Sequence, residues 1–224
     1  MSGVYICGVP SSRDGSAVEI FSRLPAGADL EQISSLIPPG SSVLDLGAGA
    51  GRLADPLAEL GHQVTAVDES AEMLTHVRTA RTVHATFAEL RLQERFDAVV
   101  MAGCLLNYLS PEVRRTALGA AARHLKPTGT ALIQWRFPQW FAMRTEGRHR
   151  MVSGSSVQTM TIHTSRDGVV AGEFGLEVDG RVFSQPFEFR LLPTAQLVEE
   201  LHEAGLRLDT EAPETTEWLQ ARPR

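Results

Sequence analysis

From Ser41 onward, short apolar runs alternate with segments whose apolar positions recur at helical spacing. Val43 to Leu46, Val64 to Val67, Phe96 to Met101 and Thr130 to Trp135 have the length and bounding turns of buried strands. Between them, Leu53 to Leu60, Ala71 to Ala80 and Val113 to Leu125 read as helices. Gly61 stops the first, and Lys126-Pro127-Thr128-Gly129 closes the last. This alternation predicts a doubly wound parallel α/β sheet of the Rossmann-like kind. Such sheets bind ligands at the carboxyl ends of their strands where the strand order reverses, which here points to the turn after Leu46.

The flanks break the alternation. At the N-terminus a turn at 11 to 15 precedes a helix from Ser16 to about Leu24, broken by Pro25 and Gly27. A second helix runs from Asp29 to Ile37, with Leu30, Ile33, Leu36 and Ile37 at helical spacing, Asp29 and Gln32 resembling a capping box, and Pro38-Pro39-Gly40 as its stop. Residues 1–40 are expected to be packing helices or a cap over the crevice mouth, using Tyr5, Phe21 or Arg23. Beyond Trp135 lies an aromatic and basic connector, and then three strand-like segments, Val157 to Thr164, Val169 to Val178 and Arg181 to Leu192. Arg166-Asp167-Gly168 and Asp179-Gly180 join them as hairpin signals. Residues 136–192 therefore predict an antiparallel β lid inserted into a core made of 41–135 and 193–224. In the last part Thr194 reads as the N-cap of a helix through Ala204, stopped by Gly205. Leu206 to Thr210 and Glu217 to Arg222 complete a seven-stranded sheet as a hairpin, the last strand antiparallel.

Composition narrows the chemistry. The 224 residues are 43 % hydrophobic and 21 % charged with a net charge of −6, an ordinary globular balance with no basic stripe for a phosphate backbone, so nucleic acid is not an expected partner. Cys7 and Cys104 stand far apart without ligands at metal spacing, so neither a disulfide framework nor a metal site is expected. No basic leader and no bilayer-length apolar run occurs, and the expected setting is cytoplasmic, away from membranes.

The turn Asp45-Leu46-Gly47-Ala48-Gly49-Ala50-Gly51 distinguishes two cofactors. A dinucleotide site places a pyrophosphate on free backbone N–H groups within Gly-x-Gly-x-x-Gly. Here the spacing is one residue tighter, and Asp45 would repel a pyrophosphate at close range. An acid at the end of a buried strand is costly without a partner or ligand, and a cation suits it. S-adenosylmethionine carries two cationic groups and a ribose diol that Asp68, ending the second strand, can accept. Asp68 and Ser70 also read as the cap of the following helix.

Val43 to Asp68 resembles motif I and the acidic turn of the class I S-adenosylmethionine-dependent methyltransferases. The stretches Gly61 to Leu74, Glu94 to Met101 and Leu125 to Leu132 are similar to the same family, with Thr128 where it more often has glycine. The resemblance implies that Gly47, Ala48, Gly49 and Gly51 admit the methionine part, that Asp45 meets its amino group, and that Asp68, beside Glu69, takes the ribose hydroxyls. It implies that Met73 packs on the adenine and that the backbone of Met101, Ala102 or Gly103 completes the methionine site. Either Thr86 with the Phe87 backbone, or Glu89, reads the adenine amino group. The β lid resembles that of the small-molecule branch, which includes sugar-amine and amino-acid N-methyltransferases.

The expected activity is methyl transfer to N or O of a small-molecule acceptor by in-line displacement, with O less favoured and S-adenosylhomocysteine as the product. Candidates facing the acceptor are Tyr5, Asn107, Trp135 and Arg136. Candidates for acid–base work are Tyr108, His149 and His163; among its neighbouring arginines His149 reads either as held neutral and so able to serve as a base, or as solvated surface. A homodimer through the lid is the expected assembly. The rival readings are an NAD(P)-dependent oxidoreductase and a cofactor-binding regulatory subunit without catalysis.

Overall fold

A computed structural model describes residues 16–107, 110–153 and 156–224. The chain runs through α1 (Ser16–Phe21), α2 (Ala28–Leu36), β1 (Ser42–Leu46), α3 (Ala54–Glu59), β2 (Gln63–Asp68), α4 (Ala71–Leu74), β3 (Arg81–His84) and β4 (Phe96–Met101). After a 3-10 turn at Leu105–Asn107 come α5 (Pro111–His124), β5 (Leu125–Gln134), α6 (Pro138–Met143), β6 (Gly147–Ser153), β7 (Ser156–Arg166), β8 (Val169–Val178) and β9 (Arg181–Arg190). Then α7 (Thr194–Glu203), β10 (Leu206–Leu208) and β11 (Trp218–Pro223) close the fold.

Seven strands form one sheet in the order β10-β11-β5-β4-β1-β2-β3. The strands from β1 to β5 pair parallel, while β11 is antiparallel to both β5 and β10. The order reverses between β1 and β4, so their carboxyl ends, Leu46 and Met101, frame the crevice. Both sheet faces are buried, as parallel strands require. Val43, Val64, Val100 and Leu132 pack on Ile33, Ile37, Leu53 and Leu57 on one side. Leu44, Leu46, Val99, Met101 and Ile133 pack on α5 and α7 through Ala117, Leu118, Leu197 and Leu201 on the other. A buried Arg114–Glu200 ion pair, Nε to Oε2 2.5 Å, ties α5 to α7.

The second sheet has the order β6-β7-β8-β9 and is antiparallel throughout. Period-two alternation turns Val170, Phe174 and Leu176 of β8 and Phe187 and Phe189 of β9 inward, against Trp140 and Phe141 of α6, Cys104 of the core and Ile20 of α1. Asp167-Gly168 and Asp179-Gly180 are two-residue hairpin loops with positive φ at all four residues, the geometry that Asp-Gly signals. Where β7 bulges between Ile162 and Thr164, a Cβ on Gly172 would lie 1.9 Å from the Thr161 carbonyl oxygen, so glycine is required there.

Several expected elements differ. The helix expected from Ala71 to Ala80 ends at Leu74. The N–H groups of Arg78, Thr79 and Ala80 donate to the Asp55 carboxylate instead of continuing a helical ladder. β3 and β6 were not anticipated as strands, because both are short on buried apolar side chains. Gly27, not an Asp29–Gln32 box, begins α2. Asp29 is drawn away by Arg52, Gln134 and Trp218, all of which donate to it. Pro193 rather than Thr194 is the N-cap of α7, and its carbonyl accepts from Leu197. Among the described residues, no helix is long and apolar enough to cross a membrane.

Candidate functional site

The crevice is built by a turn that consumes its own backbone donors. The N–H groups of Gly47 and Ala48 both donate to the Val67 carbonyl at 2.9 Å, and that of Gly51 to the Ala48 carbonyl at 3.1 Å. Gly49 N–H donates to Asp68 Oδ2 at 2.8 Å, while Asp68 Oδ1 accepts from Ser70 N–H at 2.8 Å. Ser70 in turn caps α4, its Oγ accepting from Met73. The capping reading of the pair holds, and the acid, 2 % exposed at the crevice, is also locked to the turn. Gly47 and Gly49 have positive φ, and a Cβ at Gly49 would meet open space. Gly51 also has positive φ, and in addition a Cβ there would press Val77 Cγ2 at 3.1 Å and Asp55 at 3.3 Å.

Asp45 is 1 % exposed, and neither carboxylate oxygen has a hydrogen-bond partner among the described residues. Burial raises its pKa to about 7; Arg52 nearby lowers it in part, and Asp68 adds to the rise. A buried carboxylate without a partner is costly, and the group that would offset that cost is a cation. Among the described residues lining the crevice cavity, it is the carboxylate to which the fold supplies no hydrogen bond. Arg52 is taken by Asp29, Nη1 to Oδ2 2.8 Å.

α1 closes the crevice from above. Val18 and Phe21 pack on Ala50 and Met73, leaving a cavity of about 20 Å³ among Phe21, Asp45, Gly47, Gly49, Arg52 and Ala102. That is room for about one water molecule. A larger groove of about 630 Å³ lies between α5 and α7, around Gly119, Arg123 and Glu203, and contains none of the candidate residues.

The remaining cofactor candidates line the same edge. Glu69 is exposed, and its carbonyl contacts His84 Nε2 at 2.9 Å. Thr86 Oγ1 donates to Glu89 Oε2 at 2.8 Å, so the two alternative adenine readers stand side by side, with Phe87 half-buried against the core. Met101 and Ala102 are buried, and Gly103 N–H donates to Gln134 Oε1 at 2.8 Å.

The acceptor candidates are dispersed. Tyr5 and Tyr108 lie outside the described residues. Trp135 is fully buried in the core, its Nε1–H given to the Thr216 carbonyl at 2.7 Å, so it offers an acceptor no surface. Asn107 is equally committed. Its Nδ2 donates to the carbonyls of Arg136 and Arg190, and its Oδ1 accepts from Arg136 N–H, which clamps the end of β5 to the end of β9. Both residues hold the fold where contact with an acceptor was expected. Arg136 stacks over Trp140 and Phe189 at 5.2 and 5.7 Å and pairs with Glu217, Nη1 to Oε1 2.5 Å. His149 is half-buried on β6 and His163 is exposed on β7. His149 Nε2 is 3.1 Å from the Thr145 carbonyl, which makes that nitrogen the donor. Cys104 is buried with its thiol pushed up to about 12, which removes it as a nucleophile.

A family profile described as "Methyltransferase domain" matches residues 43–129. Over 174 residues the chain is 34 % identical to the cypemycin N-terminal methyltransferase of a Streptomyces species, covering 72 % of this chain and 67 % of that protein. The chain belongs to the class I S-adenosylmethionine-dependent methyltransferases. The methyltransferase is also 32 % identical over 121 residues to the dTDP-3-amino-3,4,6-trideoxy-alpha-D-glucopyranose N,N-dimethyltransferase of Streptomyces venezuelae. That match covers 51 % of this chain and about half of the relative's length, 50 %. Its fold matches that of CalS10 from Micromonospora echinaspora, an amino pentose methyltransferase solved with S-adenosylmethionine bound. The TM-score is 0.68 at 19 % identity, over 96 % of this chain and 98 % of that one.

Sequence reasoning about the methyltransferase missed Asp29, Gln134 and Glu217. Together they form a polar hub between crevice and lid: Gln134 Nε2 donates to Asp29 Oδ1 at 3.1 Å and to Glu217 Oε1 at 3.0 Å. A glutamine ending an apolar strand, Ala131-Leu132-Ile133-Gln134, is the same kind of signal as Asp45 in β1 and was open to the same argument.

Proposed function

We propose that this methyltransferase transfers the methyl group of S-adenosylmethionine to an amine nitrogen of a small molecule or peptide. The observation that carries the cofactor assignment is the buried, unpartnered carboxylate of Asp45 beside the glycine turn. It fits the α-ammonium of the methionine part and disfavours a pyrophosphate. The dinucleotide reading is weakened further because Gly47, Ala48, Gly49 and Gly51 have already spent their N–H groups inside the chain. Asp68 retains acceptor lone pairs for a ribose diol, and the Thr86–Glu89 hydrogen bond supports either Thr86 with the Phe87 backbone, or Glu89, as the reader of the adenine amino group. When bound, the cofactor supplies an electrophilic methyl group on sulfur.

The protein's part is alignment and exclusion of water. Phe21 and Val18 of α1 roof the crevice, so entry of an adenosyl ligand requires α1 to lift, and its return seals the site. The choice of nitrogen rests on the two named relatives, an N-terminal methyltransferase and an N,N-dimethyltransferase, and on the acids at the crevice edge. The homodimer through the lid is supported by exposed Met151 and Val152 on edge strand β6 and by Val182 on β9.

Calorimetric titration with S-adenosylmethionine, S-adenosylhomocysteine and NADH tests the reading. Micromolar binding of both adenosyl ligands with none for NADH is the expected outcome. Binding of NADH, or of none of the three, would overturn it.

A further inference from the structure

Glu217 immediately precedes β11, whose Trp218 pairs with Gln134, and its carbonyl accepts from Trp135 N–H at 2.9 Å. That register puts it on the carboxyl edge of the sheet, the edge that carries the glycine turn. Its Oε1 is doubly occupied, by Gln134 Nε2 at 3.0 Å and Arg136 Nη1 at 2.5 Å. Gln134 reaches back through its Oε1 to Gly103 N–H, beside the crevice. Arg136 reaches forward to Trp140 and Phe189 beneath the lid. Oε2 makes no hydrogen bond to a described residue, and the side chain is 40 % exposed. Glu217 is thus a carboxylate fixed at one oxygen and open at the other, midway between the crevice and the lid.

Resting on the methyltransferase reading above, we propose that Oε2 of Glu217 receives the amino group of the methyl acceptor and makes the site selective for amines over hydroxyls. The acceptor ammonium first loses one proton to water; the lone pair so freed forms the nitrogen–carbon bond as the carbon–sulfur bond breaks, and the electron pair of the broken bond stays on sulfur. One positive charge passes from sulfur to nitrogen, and the new ammonium then loses its proton to water. A fixed carboxylate at hydrogen-bond distance from that nitrogen stabilises the charge as it grows. An acceptor oxygen that must first become anionic meets the same carboxylate as a repulsion. Gln134 and Arg136 hold the group in place, so little reorganisation is needed during reaction.

The full-length chain is first saturated with S-adenosylhomocysteine, followed by calorimetry. The loaded protein is then titrated by NMR at pH 7.5 with alaninamide, a small primary amine, and with lactamide, which replaces the amine by hydroxyl. Saturable binding of alaninamide, at least tenfold tighter than lactamide and at least tenfold weaker in Glu217→Gln, is expected, with affinity for S-adenosylhomocysteine within twofold of the parent. The comparison of the two probes on the parent protein needs no variant, so the proposal stays open to refutation if Glu217→Gln fails to fold. Alaninamide that does not bind, binds no better than lactamide, or binds the variant equally well overturns the role of Glu217. Failure of S-adenosylhomocysteine to bind the parent overturns the cofactor reading instead.

Discussion

Asp45 and Asp97 lie on neighbouring strands at opposite ends of the same sheet, and the fold treats them in opposite ways. Asp97, near the amino end of β4, accepts from Ser42 N–H and Oγ–H at 2.9 and 2.6 Å and from Lys126 Nζ at 2.9 Å. Hydrogen bonds from Ser42 and then Lys126 pull its pKa down to about 2. Asp45, at the carboxyl end of β1, is buried without a partner, and burial pushes it up to about 7. The residue type is the same and the shift reverses. A saturated acid fastens strands; an unsaturated one carries an uncompensated burial cost, which the function proposed above assigns to ligand binding.

The largest effect expected from breaking this contrast is at Asp45. Asp45→Asn keeps the shape and removes the charge, and affinity for S-adenosylmethionine is expected to fall on the order of a thousandfold, the loss typical of a severed buried charge pair. Stability moves the other way. The folded-state pKa lies above the ordinary carboxylate value, so the charged group opposes folding above about pH 7, and that opposition fades as pH falls toward 4. The full penalty is about 4 kcal/mol, reduced in the variant because its amide is also left unpaired. We therefore expect Asp45→Asn to raise Tm by about 5 °C at pH 8 and hardly at all at pH 4, measured by thermal unfolding without ligand. In the parent, cofactor affinity should weaken about tenfold per pH unit below 7, as the carboxyl protonates. A variant that binds cofactor normally, or is less stable at pH 8, would remove Asp45 from the site.

The contrast explains what was legible in the sequence. Asp45, Asp68 and the glycine turn could be read because each breaks a local rule, an acid in an apolar strand or glycines where φ must be positive. The two Asp-Gly hairpins could be read because two positive φ values in succession leave few residue choices. β3 and β6 could not, since Arg81-Thr82-Val83-His84 and Gly147 to Ser153 have no apolar alternation and are strands only because a neighbour offers its edge. Asn107 and Trp135 were read as acceptor contacts because polar and aromatic residues at strand ends commonly face ligands. Their partners are the carbonyls of Arg136, Arg190 and Thr216, between 29 and 83 positions away along the chain, and local sequence cannot announce them.

Asn107 provides the next test, as a saturated polar group on the crevice side of the sheet. Asn107→Ala strips three hydrogen bonds from a residue 1 % exposed and strands two carbonyls and one N–H. The expected cost is about 3 kcal/mol, a fall in Tm of roughly 6–12 °C. Affinity for S-adenosylhomocysteine should change less than threefold, since Asp45 and Asp68 are untouched. A loss of affinity larger than the loss of stability would return Asn107 to the ligand-contacting residues.

The smallest effect is expected at Asp97, despite its three donors. Its side chain is 38 % exposed and that of Lys126 42 %, so solvent screens the pair, and Asp97→Asn should cost only about 1 kcal/mol at pH 7. The sign is opposite to that of Asp45. A depressed folded-state pKa contributes stability that is fully present above about pH 4 and is lost as pH falls toward 2. Parent and variant should therefore differ in Tm by a few degrees at pH 7 and converge near pH 2, while cofactor affinity is the same in both. Convergence at neutral pH instead, or a change in cofactor affinity, would show that the amino end of the sheet is not the independent fastening that its saturated hydrogen bonds describe.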